Sequence, residues 1–541
     1  MKRTIIMLLS VALLAACNKQ LEEYNPSGLT TDQVFSTPDG FETLVSAAYS
    51  YNRWWYGKEE GYSISEMGTD LWTSGTGDKY IDLTQYYNLQ ASNIVVSGLW
   101  KQLYAAINLC NTGLGRIDKA GYADDKKAIR NAELHFLRAF YYWHIVEMWG
   151  GVHFTVTETS GVETTANRTV VDSFYALIFR DLETAVNNLP VTTTDYGRAT
   201  KPVAQAFLAR MCLTRGLNAR AAALADSVIN NYSYALLPKY SDLWRMDNLQ
   251  NKEVVWAVNY MKNLVFDDRV DASLYPGGHP RGANNGHLMF GMKYDDLPGM
   301  QRDVLNGRPF NRYMPTLFLL NLFNEQADSR YNATFKSVWL CNYLKTAPAG
   351  MKLGDTAVVC SKYTVNATGK NYRVYDRNTS YNADEGGKDR THYISLQKFD
   401  DPTRASMNEE ESARDAFVIR LAEMYLIAAE AQFNMGNSPK AADYINAIRK
   451  RAAVSGHEAE MMITGADISL DFILDERARE LAGEQLRWFD LKRTGKLADR
   501  IKKSPDAAKN FQPYHVLRPI PQDQIDAVTN KTVFTQNIGY Q

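Results

Sequence analysis

The chain lacks a hydrophobic run long enough to cross a membrane. A bilayer-spanning helix needs about 20 consecutive apolar residues, whereas the apolar stretch near the amino terminus covers only 5–16. Net charge is also nearly absent, because 60 basic and 61 acidic residues leave a formal charge of -1 at pH 7. Without a positive field that would gather phosphates, the chain is not expected to bind nucleic acid.

Motifs typical of catalysis and metal binding are missing too. The sequence contains no HExxH, P-loop, GxSxG elbow or EF-hand loop, and its eight histidines form no close pair. The five cysteines show no CxxC spacing. Cys110 and Cys212 fall in apolar helical patterns and are predicted to be buried, whereas Cys341 and Cys360 could pair across a loop. A calcium ion held by scattered carbonyls and carboxylates stays possible, because such sites have no linear motif.

Three glutamates on one predicted helix face could suggest paired carboxylates for glycoside hydrolysis. They are Glu476, Glu480 and Glu484. Four arginines are interleaved with them in sequence, namely Arg477, Arg479, Arg487 and Arg493. Neighbouring guanidinium groups keep carboxylates ionised, and an ionised carboxylate cannot act as a general acid. The pattern therefore favours a structural ion-pair network, and no enzymatic activity is expected.

The amino terminus has the features of a secretory leader. Lys2 and Arg3 precede the short apolar run, and Leu14-Ala15-Ala16 directly precede Cys17. This arrangement resembles a lipobox, in which the cysteine is acylated and becomes the first residue of the mature protein. Acidic residues soon after it resemble the signal of surface-exported lipoproteins of the Bacteroidetes. We therefore expect residues 1–16 to be a signal peptide and Cys17 to anchor the protein to the outer membrane.

Hydrophobic periodicity predicts a mainly helical fold. Apolar residues recur at helical spacing over 132–148, 171–189, 202–214 and 221–229, and again from 420 onward. In the last block, Gly436-Asn437 separates two helical patterns rich in alanine, as in a tetratricopeptide-like unit. No Pro/Gly/Ser-rich linker divides the chain, which favours one unit over 17–541 with helical blocks at about 100–235 and 410–500. The remaining loop-rich stretches, about 50–95 and 262–405, are predicted to form an irregular binding lobe.

A set of ordered sequence blocks resembles the SusD/RagB outer-membrane lipoproteins along nearly the whole chain. The blocks are WKQLY at 100–104, AELHFLRAFYYWHIVEMWGG at 132–151, GRATK at 197–201, EVVWAVNY at 253–260, RLAEMYLIAAEA at 420–431, NAIRKRA at 446–452, DERARELAGEQLRWFDLKR at 475–493 and QNIGY at 536–540. The resemblance implies tetratricopeptide-like helices that support an irregular binding lobe. It also implies non-catalytic capture of nutrients, mostly glycans, at the cell surface together with a SusC-like TonB-dependent transporter.

A glycan site needs exposed aromatic rings and planar polar groups, because sugars present C–H faces ringed by hydroxyls. Two segments fit this requirement. In the first, Trp72 is the expected stacking platform, with Asp70 and Tyr80 beside it; core packing is the alternative for the tryptophans of this segment. In the second, the glycine-rich turn at 277–287 offers donors and acceptors, and a plain surface turn is the alternative. Its candidate ligand residues, with one tyrosine beyond the turn, are Arg281, Asn284, Asn285, His287 and Tyr294.

The sequence thus predicts a surface lipoprotein that binds oligosaccharides or polysaccharide and delivers them to a transporter. Peptide cargo is the first alternative, which a site poor in exposed tryptophan and lined with backbone partners would favour. A surface glycoside hydrolase is the second. The identity, linkage and chain length of the sugar cannot be read from the sequence, because stacking platforms tolerate many sugars.

Overall fold

The computed structural model describes residues 30–261 and 283–540. The mainly helical fold predicted from periodicity is confirmed. The helices of three or more turns, which form the scaffold, are Pro38–Ser50, Ile94–Arg116, Asp124–Trp149, Val171–Asn188, Lys201–Thr214, Asn218–Asn230, Leu421–Asn434, Ser438–Ala452 and Leu470–Leu481. The shorter helices are Thr31–Phe35, Glu59–Ser65, Ile81–Thr84, Gly286–Met289, Leu317–Asn321, Arg330–Thr334, Arg377–Ser380, Glu458–Met461, Arg487–Arg493, Leu497–Arg500, Pro505–Ala508 and Gln522–Ala527.

The late helical hairpin forms where the sequence predicts it. Leu421–Asn434 and Ser438–Ala452 pack against each other, and the turn between them contains Gly436 at φ +81°. A positive φ strains any residue with a Cβ, so glycine fits this position. The Asn218–Asn230 helix of the early block packs on Leu421–Asn434 as well. The two helical blocks, far apart in sequence, therefore form one continuous scaffold.

Short strands make up the sheets. They are β1 (Trp72–Ser74), β2 (Val254–Val258), β3 (Tyr313–Pro315), β4 (Phe335–Lys336), β5 (Val338–Leu340), β6 (Thr356–Cys360), β7 (Arg373–Tyr375), β8 (Ser395–Leu396) and β9 (Ala416–Arg420). Three antiparallel pairs join β1 to β3, β2 to β9 and β4 to β8, and a three-stranded sheet has the order β5-β6-β7. In that sheet β5 is antiparallel and β7 parallel to β6, so β5 and β7 are the edge strands.

The two largest hydrophobic cores of the described residues organise these elements. The larger is helical and is closed on one side by side chains of the β2–β9 pair. The smaller core lies in the lobe and gathers Trp72, Phe290, Tyr313 and Trp339 with Ala482 from the carboxy-terminal part of the chain. Because stretches hundreds of residues apart contribute to the lobe core, the lobe cannot form its interior from local sequence alone.

Two sequence expectations can be compared with the fold directly. Cys341 and Cys360 are buried and unpaired, and Cys360 Sγ instead contacts Met292 Sδ at 3.8 Å. No helix in the described ranges has the length and apolar character that crossing a bilayer requires. The expected leader and the acylation of Cys17 lie outside the described residues.

Candidate functional site

The structure brings the two predicted ligand segments into contact. The backbone N–H of Asn285 donates to Gly57 O at 2.9 Å. The ring centroid of Trp72 lies 4.7 Å from that of Phe290. The two segments thus meet in the lobe, although their side chains do not form the exposed surface that the sequence suggested.

Trp72 is a core residue, so the expectation of an exposed stacking platform at this position is wrong. Its exposed fraction is 0%, and its Nε1–H donates to Glu66 Oε2 at 3.0 Å. Glu66 also accepts backbone N–H bonds from Gly483, Leu486 and Arg487. Burial raises the pKa of Glu66 to about 7 despite these donors. Trp72 therefore serves as an internal donor that holds a buried carboxyl group in place.

Asp70 and Tyr80 are buried as well, which corrects their assignment as groups that face a ligand. Asp70 forms a two-bond ion pair with Arg487, with its Oδ1 2.8 Å from Nε and its Oδ2 2.5 Å from Nη2. Tyr80 is 4% exposed, and its hydroxyl donates to Glu60 Oε1 at 3.4 Å. Asp70 and Tyr80 thus bond to other protein groups, Arg487 and Glu60, and join segments of the fold.

The second predicted segment is buried wherever the structure describes it. Asn284 donates to Arg414 O and accepts from Gly286 N, both at 2.8 Å. The Tyr294 hydroxyl donates to Gly307 O at 2.6 Å. Asn285 and His287 are also buried, and Arg281 lies outside the described residues. The expectation of an exposed polar turn is therefore wrong for 284–294, because these residues are buried and Asn284 and Tyr294 bond to neighbouring loops.

In the described part of the lobe, the aromatic rings that are strongly exposed belong to tyrosines. All ten tryptophans of the chain are buried. Tyr363 is 59% exposed, and Tyr375 on edge strand β7 is half-buried. Backbone hydrogen bonds join the segment around Tyr363 to the segment around Tyr375. Ser361 N donates to Tyr375 O at 2.9 Å, and Arg377 N donates to Tyr363 O at 3.3 Å. We call Tyr363, Tyr375 and the neighbouring His392 the tyrosine edge.

A stacked ring pair forms the centre of the tyrosine edge. The ring centroids of Tyr375 and His392 lie 4.5 Å apart with an interplanar angle of 25°. His392 is held between two carboxylates, since its Nδ1 lies 3.1 Å from Asp389 Oδ2 and its Nε2 lies 3.2 Å from Asp296 Oδ1. The edge thus presents an aromatic ring beside planar polar groups, which is the combination that binds sugars.

The two carboxylates also set the charge of His392. Burial alone would lower the pKa of the imidazole, but hydrogen bonding and attraction to Asp389 and Asp296 outweigh it and raise the pKa above its ordinary value. Burial would likewise raise the pKa of Asp389, yet the His392 ring and the backbone N–H of Thr391 lower it. His392 consequently stays protonated to a higher pH than an isolated histidine.

The predicted ion-pair network on the late helix is present, but most of its partners come from elsewhere in the chain. The pairs are Glu476 with Arg330, Arg449 and Arg479; Glu480 with Arg330, Arg420 and Arg451; and Glu484 with Arg420 and Lys398. Arg477, Arg487 and Arg493 instead pair with other carboxylates, Asp490, Asp70 and Glu430. Burial would raise the pKa of Glu480, but the guanidinium groups lower it to about 2. A carboxylate held ionised in this way is unsuited to general acid catalysis.

Within the described ranges, no group of three or more His, Cys, Asp or Glu residues is arranged to hold a metal ion. The structural calcium that the sequence left open therefore has no candidate cluster of these residues there, and calcium binding stays an untested expectation.

Comparison with known proteins places the chain in a family. The model of the SusD family matches residues 252–540. The chain belongs to the SusD family. A second family model, described as starch-binding associating with outer membrane, matches residues 26–213. The resemblance drawn from sequence blocks is therefore confirmed.

Relatives of known name match over most of the chain. The SusD-like protein P25 of Formosa agariphila is 25% identical over 97% of both chains. The starch-binding protein SusD of Bacteroides thetaiotaomicron is 25% identical over 78% of this chain and 74% of its own. A solved laminarin-binding SusD-like protein superposes with a TM-score of 0.71 at 22% identity, covering 93% of this chain and all of the other. That structure has the same fold.

Sequence reasoning missed every residue of the tyrosine edge. Residues 346–401 stood out as a long stretch rich in Gly, Asn, Asp and Tyr, and a loop of this kind is often functional. That signal pointed to the stretch containing Tyr363, Tyr375 and His392, but it could not separate exposed rings from buried ones.

Proposed function

We propose that the chain is a non-catalytic glycan-binding lipoprotein that captures oligosaccharides or polysaccharide at the cell surface. Membership of the SusD family supports this function, as do relatives named for binding starch and laminarin. The observation that carries the proposal is the Tyr375–His392 ring pair, set between two carboxylates at the lobe surface.

The tyrosine edge supplies the two interactions that a sugar requires. The Tyr363 and Tyr375 rings offer apolar surface to C–H faces, and phenol rings lose little conformational freedom on binding. Asp296 and Asp389 can accept hydrogen bonds from sugar hydroxyl groups, while both ring nitrogens of His392 hold these carboxylates in place. Because the edge is open and contains several rings, it suits a polymer that extends beyond one sugar.

The same proposal covers attachment and delivery. Acyl chains on Cys17 would hold the protein in the outer membrane, since each buried CH₂ contributes about 0.8 kcal/mol and more than one chain gives stable anchoring. A SusC-like TonB-dependent transporter is the proposed partner that receives the glycan. Labelling with radioactive palmitate tests the anchor, and a Cys17→Ser variant should lose the label and appear in the soluble fraction.

A binding screen tests the capture function. The leaderless protein, residues 18–541, is titrated with laminarin, starch and a panel of unrelated polysaccharides, and products are assayed for new reducing ends. Binding to one polymer without new reducing ends is expected. New reducing ends would contradict the proposal and favour the hydrolase alternative.

Variants locate the site on the edge. Tyr363→Ala and Tyr375→Ala should each weaken binding by about 2- to 10-fold, because a ring contact contributes roughly 0.5–1.5 kcal/mol beyond its buried area. Tyr87→Ala is the matched control, since Tyr87 is 62% exposed but lies outside the edge. If Tyr87→Ala weakened binding and both edge variants bound like wild type, the assignment of the edge would be wrong.

Peptide capture is a second candidate, favoured by two observations. All ten tryptophans are buried, so the described lobe presents no indole platform. Strand β5 is an edge strand whose Val338 and Leu340 are exposed, and an extended peptide can add to such an edge through backbone bonds. A charged side chain on an edge strand prevents another strand from pairing with it. Leu340→Lys should therefore abolish binding of peptides but leave glycan binding unchanged.

A further inference from the structure

A cavity lies outside the lobe, where the Pro38–Ser50 helix, the loop at 195–200 and strand β2 meet. Its volume is about 260 Å³. A larger groove of about 880 Å³ continues on the other side of the same loop and shares part of the lining. The shared residues are Tyr196, Gly197, Arg198, Trp256 and Ala257.

The loop between the two spaces is fixed to strand β2 and its extension. Trp256 Nε1 donates to Gly197 O, and Asn259 Nδ2 donates to Tyr196 O, both at 2.8 Å. Gly197 has φ +92°, and a Cβ at this position would lie only 2.7 Å from Asn259 Oδ1. Glycine is thus required both by the backbone conformation and by the close approach. The cavity is therefore a preformed feature of the fold.

Arg53 supplies positive charge at the cavity. Its Nε donates to Asn259 O at 2.9 Å, and it forms no ion pair with any carboxylate in the described part of the chain. Asp415 interacts with it only beyond ion-pair distance, and burial raises the pKa of Asp415 to about 6. The other arginine of the lining, Arg198, is already paired with Glu42 and Glu133. Arg53 is consequently the guanidinium available to an anionic group.

Three lining residues carry side-chain oxygens that have no hydrogen-bond partner among the described residues. They are Asn52 Oδ1, Asn259 Oδ1 and the Tyr196 hydroxyl, and Asn52 is only 3% exposed. An unsatisfied buried polar atom costs about 1–3 kcal/mol. A ligand that brings donors to these oxygens would recover part of that cost.

We propose that this cavity binds one uronic acid unit of an acidic glycan, with its carboxylate on Arg53 and its hydroxyls on Asn52 and Asn259. The volume suits a single sugar ring, being close to the lower limit of about 300 Å³ for small-molecule sites. The groove beyond Tyr196 leaves room for the next units of the chain. An extended peptide fits less well, because it presents one N–H per residue at about 3.3 Å spacing, whereas a sugar brings several donors on one ring.

Calorimetric titration of the leaderless protein with galacturonic acid and with short oligogalacturonides tests this site, with glucose and maltose as neutral probes. Wild type should bind the acidic sugars in a way that depends on Arg53, whereas binding of neutral sugars at the tyrosine edge should not depend on it. Arg53→Gln should weaken binding of the acidic sugar by about 10- to 100-fold, the effect of losing a charge-assisted bond. Arg220→Gln is the control, since Arg220 is an exposed arginine that lines neither the cavity nor the groove.

A second variant separates loss of the site from loss of folding. Ser46 lies on the exposed surface of the lining, so Ser46→Trp should fill the cavity without changing charge, and thermal unfolding should show that it stays folded. It should abolish binding of the acidic sugar, whereas Tyr87→Ala, at an exposed residue outside both the cavity and the tyrosine edge, should leave that binding unchanged. The proposal is overturned if wild type binds no acidic sugar, if Arg53→Gln weakens binding of neutral and acidic sugars alike, or if both cavity variants bind the acidic sugar like wild type.

Discussion

Replacement of Trp72 distinguishes a residue of the lobe core from a residue that contacts the ligand. Trp72 has no exposed surface, packs on Phe290 at 4.7 Å between ring centroids, and donates to Glu66 at 3.0 Å. Replacing a buried tryptophan with alanine costs about 3–5 kcal/mol, from lost burial and the cavity left behind. We therefore expect Trp72→Ala to lower the free energy of unfolding by that amount.

Trp72→Phe isolates the hydrogen bond to Glu66. The aromatic ring is retained, but the carboxylate loses its Nε1–H donor, and a bond to a charged group contributes about 1.5–3 kcal/mol. Three backbone N–H groups still bind Glu66, so the loss should lie at the low end of that range. The Nε1–H of Trp72 stabilises mainly the ionised form of Glu66. Its removal should therefore lower the free energy of unfolding more at pH 8 than at pH 5.

Urea unfolding followed by circular dichroism measures both effects, and glycan titration is run on the folded fraction. Trp72→Phe should bind glycan like wild type. The reasoning is refuted if Trp72→Ala unfolds within about 0.5 kcal/mol of wild type, the usual range of surface substitutions, while glycan binding alone is lost.

Three further predictions concern charged groups. Arg420 is 2% exposed and bonds to Glu484 and Glu480, so Arg420→Met should cost about 3–5 kcal/mol in urea unfolding, as expected when a buried ion pair loses one partner. The pKa of Glu66 in the folded protein, about 7, exceeds its ordinary value, so the contribution of Glu66 lowers the free energy of unfolding as pH rises from 4.5 to 7. Glu66→Gln should remove this dependence on pH. An unchanged dependence would contradict the assignment. His392 has a raised pKa, so its contribution to stability is complete below about pH 6.5 and is lost as pH rises through the raised value. An NMR titration should give a pKa above 6.5 for His392 in wild type, and a lower pKa in Asp389→Asn.

Local features of the fold could be predicted because local sequence determines them. The hairpin around Gly436 follows from helical periodicity on both sides of a glycine turn. The block at 253–260, which resembles the family, contains β2, Val254–Val258, and its run of apolar residues is typical of a buried strand. These patterns depend on neighbours a few residues away, and the sequence contains that information.

Exposure could not be predicted in the same way. Trp72 is buried because Phe290 covers it and because its bonding partner Glu66 is itself held by backbone groups near 483–487. Arg487, the partner of Asp70, is also more than 400 residues away. The environment of a loop residue is therefore set by distant segments, and aromatic composition alone cannot show which ring faces solvent. The same limit explains why Tyr375 was missed.

The measurement that tests the central proposal most directly is a titration of the leaderless protein with laminarin and starch, with Tyr363→Ala, Tyr375→Ala and Tyr87→Ala run beside it. Glycan capture at the tyrosine edge predicts saturable binding to a polysaccharide that both edge variants weaken and Tyr87→Ala does not. Absence of binding to every glycan, together with peptide binding that Leu340→Lys abolishes, would contradict it.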